Sequence, residues 1–150
     1  MILGMKISKI SNGISLNLAH SIERMLHKFD FHNSKPISIP YDFSIALKNT
    51  SEPVSQLKYS QLIGSLLYIF NKTRLDISYT VGKLSRYTSN PSRDHWTALE
   101  RVFRYLRGTI GYCLTYTEYP DITEGYSDAI WVIDSHSIKS TIGYVFMFGV

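Results

Sequence analysis

The sequence predicts an α+β fold, and three observations carry that prediction. Apolar and polar residues alternate on both sides of Ser11-Asn12-Gly13, apolar residues recur at helical spacing from Tyr59 to Gly108, and strand-like runs follow Tyr112. The helical stretch carries most of the apolar mass and most of the positive charge, so the remainder reads as attached to it.

The opening element is a β-hairpin. Leu3, Met5 and Ile7, then Ile14, Leu16 and Leu18, would each line one face, and Asn12-Gly13 is the dipeptide that supplies the positive φ angles of a tight turn. Ile22, Met25, Leu26 and Phe29 place a short amphipathic helix over Ala19 to Asp30. Residues 35–56, with Pro36, Pro40 and Pro53, read as a connection long enough to point to a multi-part machine.

Three helices in tandem follow. Leu62, Ile63, Leu66, Leu67 and Phe70 give the first one wide apolar face, too short a run to span a bilayer and suited to a core helix. Asp76 is placed to cap the second, whose Ile77, Val81, Leu84 and Thr88 form a stripe while Lys83 and Arg86 point elsewhere. Asn90 is placed to cap the third with Pro91 in its first turn, and Gly108 supplies its stop. Along it Trp96, Leu99, Val102, Phe103 and Leu106 form the buried face, while Arg93, Arg101, Arg104 and Arg107 share the opposite one with only Glu100 to offset them. Such a basic stripe on a rigid rod has the shape to track a phosphate backbone; an ordinary solubilising face is the plainer alternative. Strands are expected near Tyr112 to Thr117, Thr123 to Asp128 and Thr141 to Phe148. The seven tyrosines from Tyr59 to Tyr116 are expected mostly to pack.

Composition narrows the function classes. A hydrophobic content of 44% in 150 residues excludes a disordered chain and suffices for a core. The single Cys113 excludes an internal disulfide framework and reads as a buried core thiol. The five histidines show no ligand spacing, and no signal peptide is discernible, which makes an intracellular chain the expectation, in cytoplasm or nucleus and without a membrane partner. Net charge is +3 over residues 1–58, +5 over 59–111 and −4 over 112–150. The basic helical block suits a polyanion; the acidic tail suits a metal or simple solvation.

Several strings, in order, resemble the Pol polyprotein of copia-type retrotransposons downstream of the reverse transcriptase active site. They are Tyr59-Ser60-Gln61-Leu62-Ile63-Gly64-Ser65-Leu66-Leu67-Tyr68, Thr73-Arg74-Leu75-Asp76-Ile77, Asn90-Pro91 with His95-Trp96, and Arg104-Tyr105-Leu106-Arg107-Gly108-Thr109. Gly125-Tyr126-Ser127-Asp128-Ala129 and Gly143-Tyr144-Val145-Phe146 continue the likeness to the end. The resemblance implies a palm-end, primer-grip-like hairpin over residues 1–18, a thumb- and connection-like helical region over 19–111, and the start of a ribonuclease H-like sheet, incomplete, over 112–150. It also implies a nucleic-acid-binding role for Lys83, Arg86, Arg93, Arg101, Arg104 and Arg107 on duplex or RNA–DNA hybrid.

Departures from the family pattern bear on catalysis. No Tyr-x-Asp-Asp string is present, so the polymerase aspartates are missing from these residues. Of the ribonuclease H carboxylates that hold Mg²⁺ in the intact family, only Asp128 has a counterpart, a vestigial one, and the sequence ends at Val150 before the others would come. The family's Ser-Asp-Ala-Asp-Trp-Ala-Gly stands here as Ser127-Asp128-Ala129-Ile130-Trp131-Val132-Ile133, an acid and a glycine fewer, and the proline of Thr-Arg-Pro-Asp-Ile is Leu75. Asp128 and Asp134 read as solvated carboxylates. No cofactor and no metal site are expected. The expectation is a non-catalytic fragment with at most weak, sequence-independent affinity for nucleic acid; the alternative is a repurposed or degenerate interaction module, self-associating through an unpaired apolar edge near Tyr144 to Phe148. Arg104-Tyr105-Leu106-Arg107 also spells the Arg-x-Leu-Arg of host-translocated effectors, but inside an expected helix, with Leu106 on its core face.

Overall fold

The computed structural model describes residues 4–44, 47, 52–117, 123–130 and 141–148. In chain order these form β1 (Lys6–Ile10), β2 (Gly13–Asn17), α1 (Ala19–Lys28), α2 (Gln56–Phe70), a 3-10 turn (Leu75–Ile77), α3 (Ser78–Ser85), α4 (Arg93–Gly108), β3 (Cys113–Thr117), β4 (Thr123–Ile130) and β5 (Thr141–Phe148). Four helices and two small sheets make a mixed α+β fold. One sheet has the order β1-β2-β3; the other is the antiparallel ribbon β4-β5, in register from Thr123 opposite Phe148 to Ile130 opposite Thr141. The chain divides into two compact units, residues 1–8 with 15–114 and residues 9–14 with 115–150.

The first unit contains the core. Leu18, Ile22 and Leu26 meet Leu62, Leu66 and Ile69 of α2 and Leu99, Val102 and Phe103 of α4 in one cluster, closed by Ile77, Val81 and Leu84. These side chains are 3% exposed or less, and each such burial contributes about 1.5–3 kcal/mol. Tyr59, fully buried, donates its hydroxyl to the Leu84 carbonyl at 2.9 Å, which ties the start of α2 to the end of α3.

Local chemistry explains where α1 ends. It stops at Lys28, short of Asp30, because Asp30 takes a left-handed φ of 64°. The Phe31 N–H then reaches back to the Leu26 carbonyl (2.7 Å) and the Asp30 N–H to His27 (3.2 Å), the bond pair of a Schellman stop. That reversal stacks Phe31 on Phe103 at 4.7 Å and sends the following segment along α4.

Several expectations need correction. The hairpin forms, but Ile7 and Ile14 are each 47% exposed, so its alternation does not mark a buried face. Its positive φ falls on Gly13 (151°) and not on Asn12, and a Cβ there would stand 1.9 Å from the Tyr116 carbonyl oxygen, so only glycine fits. α4 is capped by Ser92, with Asn90 and Pro91 outside it. His95, at the third helical position, accepts the Ser92 N–H on Nδ1 at 2.9 Å and so plays the part a glutamate or glutamine plays in a capping box. α3 ends at Ser85, which leaves Thr88 beyond the helix. Cys113 is exposed, not buried. Of the seven tyrosines, Tyr59 and Tyr105 are buried and Tyr87 stacks on His95, while Tyr68, Tyr79, Tyr112 and Tyr116 are at least 41% exposed, Tyr79 still in contact with Tyr41 and Phe43.

Candidate nucleic-acid interface

The buried face of α4 is the one expected except at Trp96, which is only partly buried; Leu99, Val102, Phe103 and Leu106 are all 1% exposed or less. The opposite face is not a bare basic stripe, because the segment after α1 runs along it. Arg107 donates Nε to the His32 carbonyl (2.7 Å), Arg104 donates Nε to the Lys35 carbonyl (2.8 Å), and Arg101 pairs with Asp42 at 3.6 Å. Three of the four stripe residues thus hold residues 32–42 against the helix, a role the spacing alone could not reveal. Arg93, in the first turn, is exposed. Binding through Nε leaves the two terminal nitrogens of Arg104 and Arg107 as the groups that can meet an anion.

Lys83 lies on α3 and Arg86 just past its end, the latter exposed. The Lys83 ammonium sits 5.1 Å over the Tyr41 ring and 5.9 Å from that of Tyr79. Hydrogen bonding to the Tyr41 hydroxyl outweighs partial burial and holds its pKa above the ordinary lysine value, so it is charged at neutral pH.

The most tightly built polar cluster joins two strings whose residues looked unrelated in sequence. Arg74, 1% exposed, gives Nε and Nη2 to the two Asp76 oxygens (3.0 and 2.7 Å), Nη1 to the Thr109 carbonyl (3.0 Å) and Nη2 to the Thr109 hydroxyl (2.6 Å). The Tyr105 hydroxyl adds a bond to Asp76 Oδ2 at 2.8 Å. Burial disfavours the Asp76 charge, but the bonds from Arg74 and Tyr105 outweigh it and hold its pKa below the usual carboxylate value. Asp76 therefore does not cap α3, as its position suggested; it is the acceptor of a clamp between the α2–α3 turn and the end of α4.

A cleft of about 1170 Å³ lies between α1 and α2. One wall carries Glu23, Arg24, His27 and Lys28; the other carries Gln61, Ser65 and Tyr68, with Gly64 presenting no side chain. Arg24 and Lys28 are one helical turn apart, and Gln61, Ser65 and Tyr68 are spaced by four and three, so each set shares a helix face. Sequence reading passed over this feature because α1 was weighed only for its apolar side; the polar spacing of Gln61, Ser65 and Tyr68 was the available signal.

Asp128 is on β4, exposed and opposite Gly143. The same strand face carries Glu124, whose carboxylate accepts the Tyr126 hydroxyl, but four strand residues separate the two acids by about 13 Å. No group of three or more histidine, cysteine, aspartate or glutamate side chains that could hold a metal ion occurs among the described residues. A two-Mg²⁺ centre needs converging carboxylates, and the described residues do not fit one. Asp134 lies outside the described residues. Among the described residues no helix is long and apolar enough to cross a membrane.

No family model and no solved structure matches the chain. It is 38% identical, over 98% of its length, to the retrovirus-related Pol polyprotein from transposon TNT 1-94 of Nicotiana tabacum, and 32% identical over 98% to that from transposon RE2 of Arabidopsis thaliana. It spans 12% and 10% of those two proteins. A secreted RxLR effector protein, number 161 of Plasmopara viticola, is 40% identical over 62% of the chain and 66% of its own length. In the present fold Arg104-Tyr105-Leu106-Arg107 lies within α4, with Leu106 fully buried. The matches to Pol proteins run along nearly the whole of these residues, and the chain belongs to the retrovirus-related Pol polyproteins of copia-type transposons.

Proposed function

We propose that these residues are a non-catalytic, duplex-holding part of a copia-type Pol polyprotein. In this reading residues 1–18 are a palm-end hairpin, residues 19–111 the thumb and connection, and residues 112–150 the first part of a ribonuclease H-like sheet. They hold RNA–DNA hybrid or other duplex inside the cell, weakly and without sequence preference. The observation that carries the reading is the α1–α2 cleft, whose α1 wall is net basic, Arg24 and Lys28 outnumbering Glu23, and faces a neutral, hydrogen-bonding wall. Cations supply sequence-independent attraction to phosphate, and the neutral wall admits a backbone without repelling it. Lys83, Arg86, Arg93, Arg101, Arg104 and Arg107 form the second basic surface of the same body, where phosphate contact by Arg104 and Arg107 falls to their terminal nitrogens. With no Tyr-x-Asp-Asp string and Asp128 as the lone ribonuclease H carboxylate, these residues contribute binding and not chemistry.

Fluorescence anisotropy of the chain against a labelled RNA–DNA hybrid at about 50 and 200 mM salt tests this, with saturable binding that weakens steeply with salt expected. Arg24→Gln with Lys28→Gln, and separately Arg101→Gln with Arg104→Gln and Arg107→Gln, apportion the effect between cleft and stripe. Binding indifferent to both sets, or none by a chain that melts cooperatively, sinks the reading.

A second reading rests on the ribbon. Tyr144, Val145 and Phe146 of β5 are 58–72% exposed, an apolar run suited to pairing with a second copy. Sedimentation over a wide concentration range tests it, and a monomer throughout removes it. The likeness to a secreted effector adds no further reading, since its namesake motif is spent on the α4 core and on the carbonyls of His32 and Lys35.

A further inference from the structure

Beside the second basic surface stands a cluster of three rings that the duplex reading leaves unused. Tyr41 and Phe43 come from the segment laid against α4, and Tyr79 from the first turn of α3. Tyr41 is buried at 7% exposure and meets both others edge-on, at 4.9 Å to Phe43 and 5.4 Å to Tyr79. Phe43 and Tyr79 lie 29° from parallel at 5.9 Å and are 80% and 46% exposed. Phe43 is thus held between a buried tyrosine and a near-parallel ring while most of its own surface is open to solvent.

The charges around it are specific. Lys83 stands over Tyr41 and Tyr79, and Arg86 follows within a turn. Asp42, between Tyr41 and Phe43 in sequence, is occupied by Arg101 and by the hydroxyl and N–H of Ser44, so its repulsion toward an anion is offset. Lys83 already takes the cation–π position over two of the rings, which disfavours a cationic ligand. What remains is a ligand with a flat π-face and a negative charge next to it. In a duplex the base faces are covered by their neighbours, whereas an unpaired base presents one.

We propose that Phe43 and Tyr79 form a stacking platform for an unpaired base of single-stranded nucleic acid, with Lys83 placed for the adjoining phosphate. The proposal rests on the nucleic-acid reading above but concerns a different strand state and different residues from the cleft. It adds single-strand capture to a body that grips duplex, so that a junction between the two would be held at both surfaces.

The test is anisotropy of the full chain against two labelled probes, an oligothymidylate of about 12 nucleotides and a blunt hybrid of similar length, at about 200 mM salt, where phosphate attraction is reduced and stacking persists. Phe43→Ala and Tyr79→Ala are each expected to weaken oligothymidylate binding roughly tenfold and to leave hybrid binding within about twofold. Phe43→Trp restores or tightens it, while Phe43→Leu, which keeps bulk and loses the π-face, behaves as the alanine variant; both guard against a folding defect, which circular dichroism monitors. Oligothymidylate binding unchanged by these variants, or absent while the hybrid binds, overturns the platform and leaves the duplex reading intact. Failure of both probes at about 200 mM with hybrid binding retained at about 50 mM overturns the platform alone, and failure of the hybrid at about 50 mM as well overturns both.

Discussion

In the helical unit the polar residues of one string are answered by those of another: Arg74 and Asp76 meet Tyr105 and Thr109 across 29 to 35 residues of sequence, with the arginine 1% exposed. In the β4–β5 ribbon the described side chains from Thr123 to Ala129 and from Gly143 to Phe146 are exposed, and the strands are joined by their backbone ladder. The first region therefore spends its distinctive residues on its own tertiary structure. The second has its regular structure but buries little, the condition in which a two-stranded ribbon is marginal by itself. Residues that look functional because they recur in a recognisable string can thus be structural in one part of a chain, and await a partner in another.

The comparison breaks most visibly if Arg74 proves dispensable. Arg74→Ala leaves Asp76 with the Tyr105 hydroxyl and its own backbone N–H, and strips the Thr109 carbonyl and hydroxyl of the donors that Arg74 supplies. An expected loss of about 3 kcal/mol, the lower end for one partner of a buried pair because Asp76 keeps some water, would appear as a fall in the urea midpoint. Arg74→Lys retains the charge but not the fork, and should recover less than half. A change under about 1 kcal/mol in Arg74→Ala would mean that water replaces the clamp and that the contrast with the ribbon is overstated.

A smaller effect sharpens the same contrast through pH. His95 is fully buried, stacked on Tyr87 at 3.8 Å, and bonded through Nδ1 to Ser92. Burial lowers its pKa against the attraction of Asp94, so it is neutral in the fold. Its imidazole then binds fewer protons than in the unfolded chain, and stability should be intact at pH 7 and fall as the pH drops below about 6.5. His95→Gln keeps an acceptor at the third helical position and should hold neutral-pH stability within about 1 kcal/mol while flattening that decline. Asp76 contributes separately and lower: its stabilisation is present above the ordinary carboxylate pKa of about 4 and is lost as acid protonates it. An unchanged slope near pH 6 in His95→Gln would assign the decline to another group.

What could be read from the sequence follows the range of the interaction. α4 was legible because its main signal is local, an apolar face at helical spacing; its ends were less so, since Gly108 is the last helical residue with Thr109 as the C-cap, and Ser92 is the N-cap two residues past Asn90 because His95 could not be foreseen as its partner. β5 was placed at Thr141–Phe148 by its apolar run. Arg74 was passed over because an arginine in a turn ordinarily faces water, and its acceptor on Thr109 is brought in only by packing. Likewise Arg104 and Arg107 read as a free stripe because the carbonyls that hold them belong to a segment with no periodicity. The Phe43–Tyr79 pair was hidden for the same reason, one ring being in that segment and the other on a helix.

The smallest expected effect bears on the ribbon directly. If the helical unit owes its stability to its own core and clamp, a chain ending at Thr117 should unfold with the same cooperativity and a free energy within about 0.5 kcal/mol of the full chain. Denaturation followed by Trp96 fluorescence, with Trp131→Phe in the full chain so that both chains report on one indole, suits the purpose, because Trp96 lies on α4, packs against the core and donates to Glu100 at 2.7 Å. Equal midpoints with a lost tendency to associate would assign the ribbon to partnering alone. A midpoint lowered by more than about 1 kcal/mol would mean that residues beyond Thr117 stabilise the helices, and that exposure of their side chains is a poor guide to what they contribute.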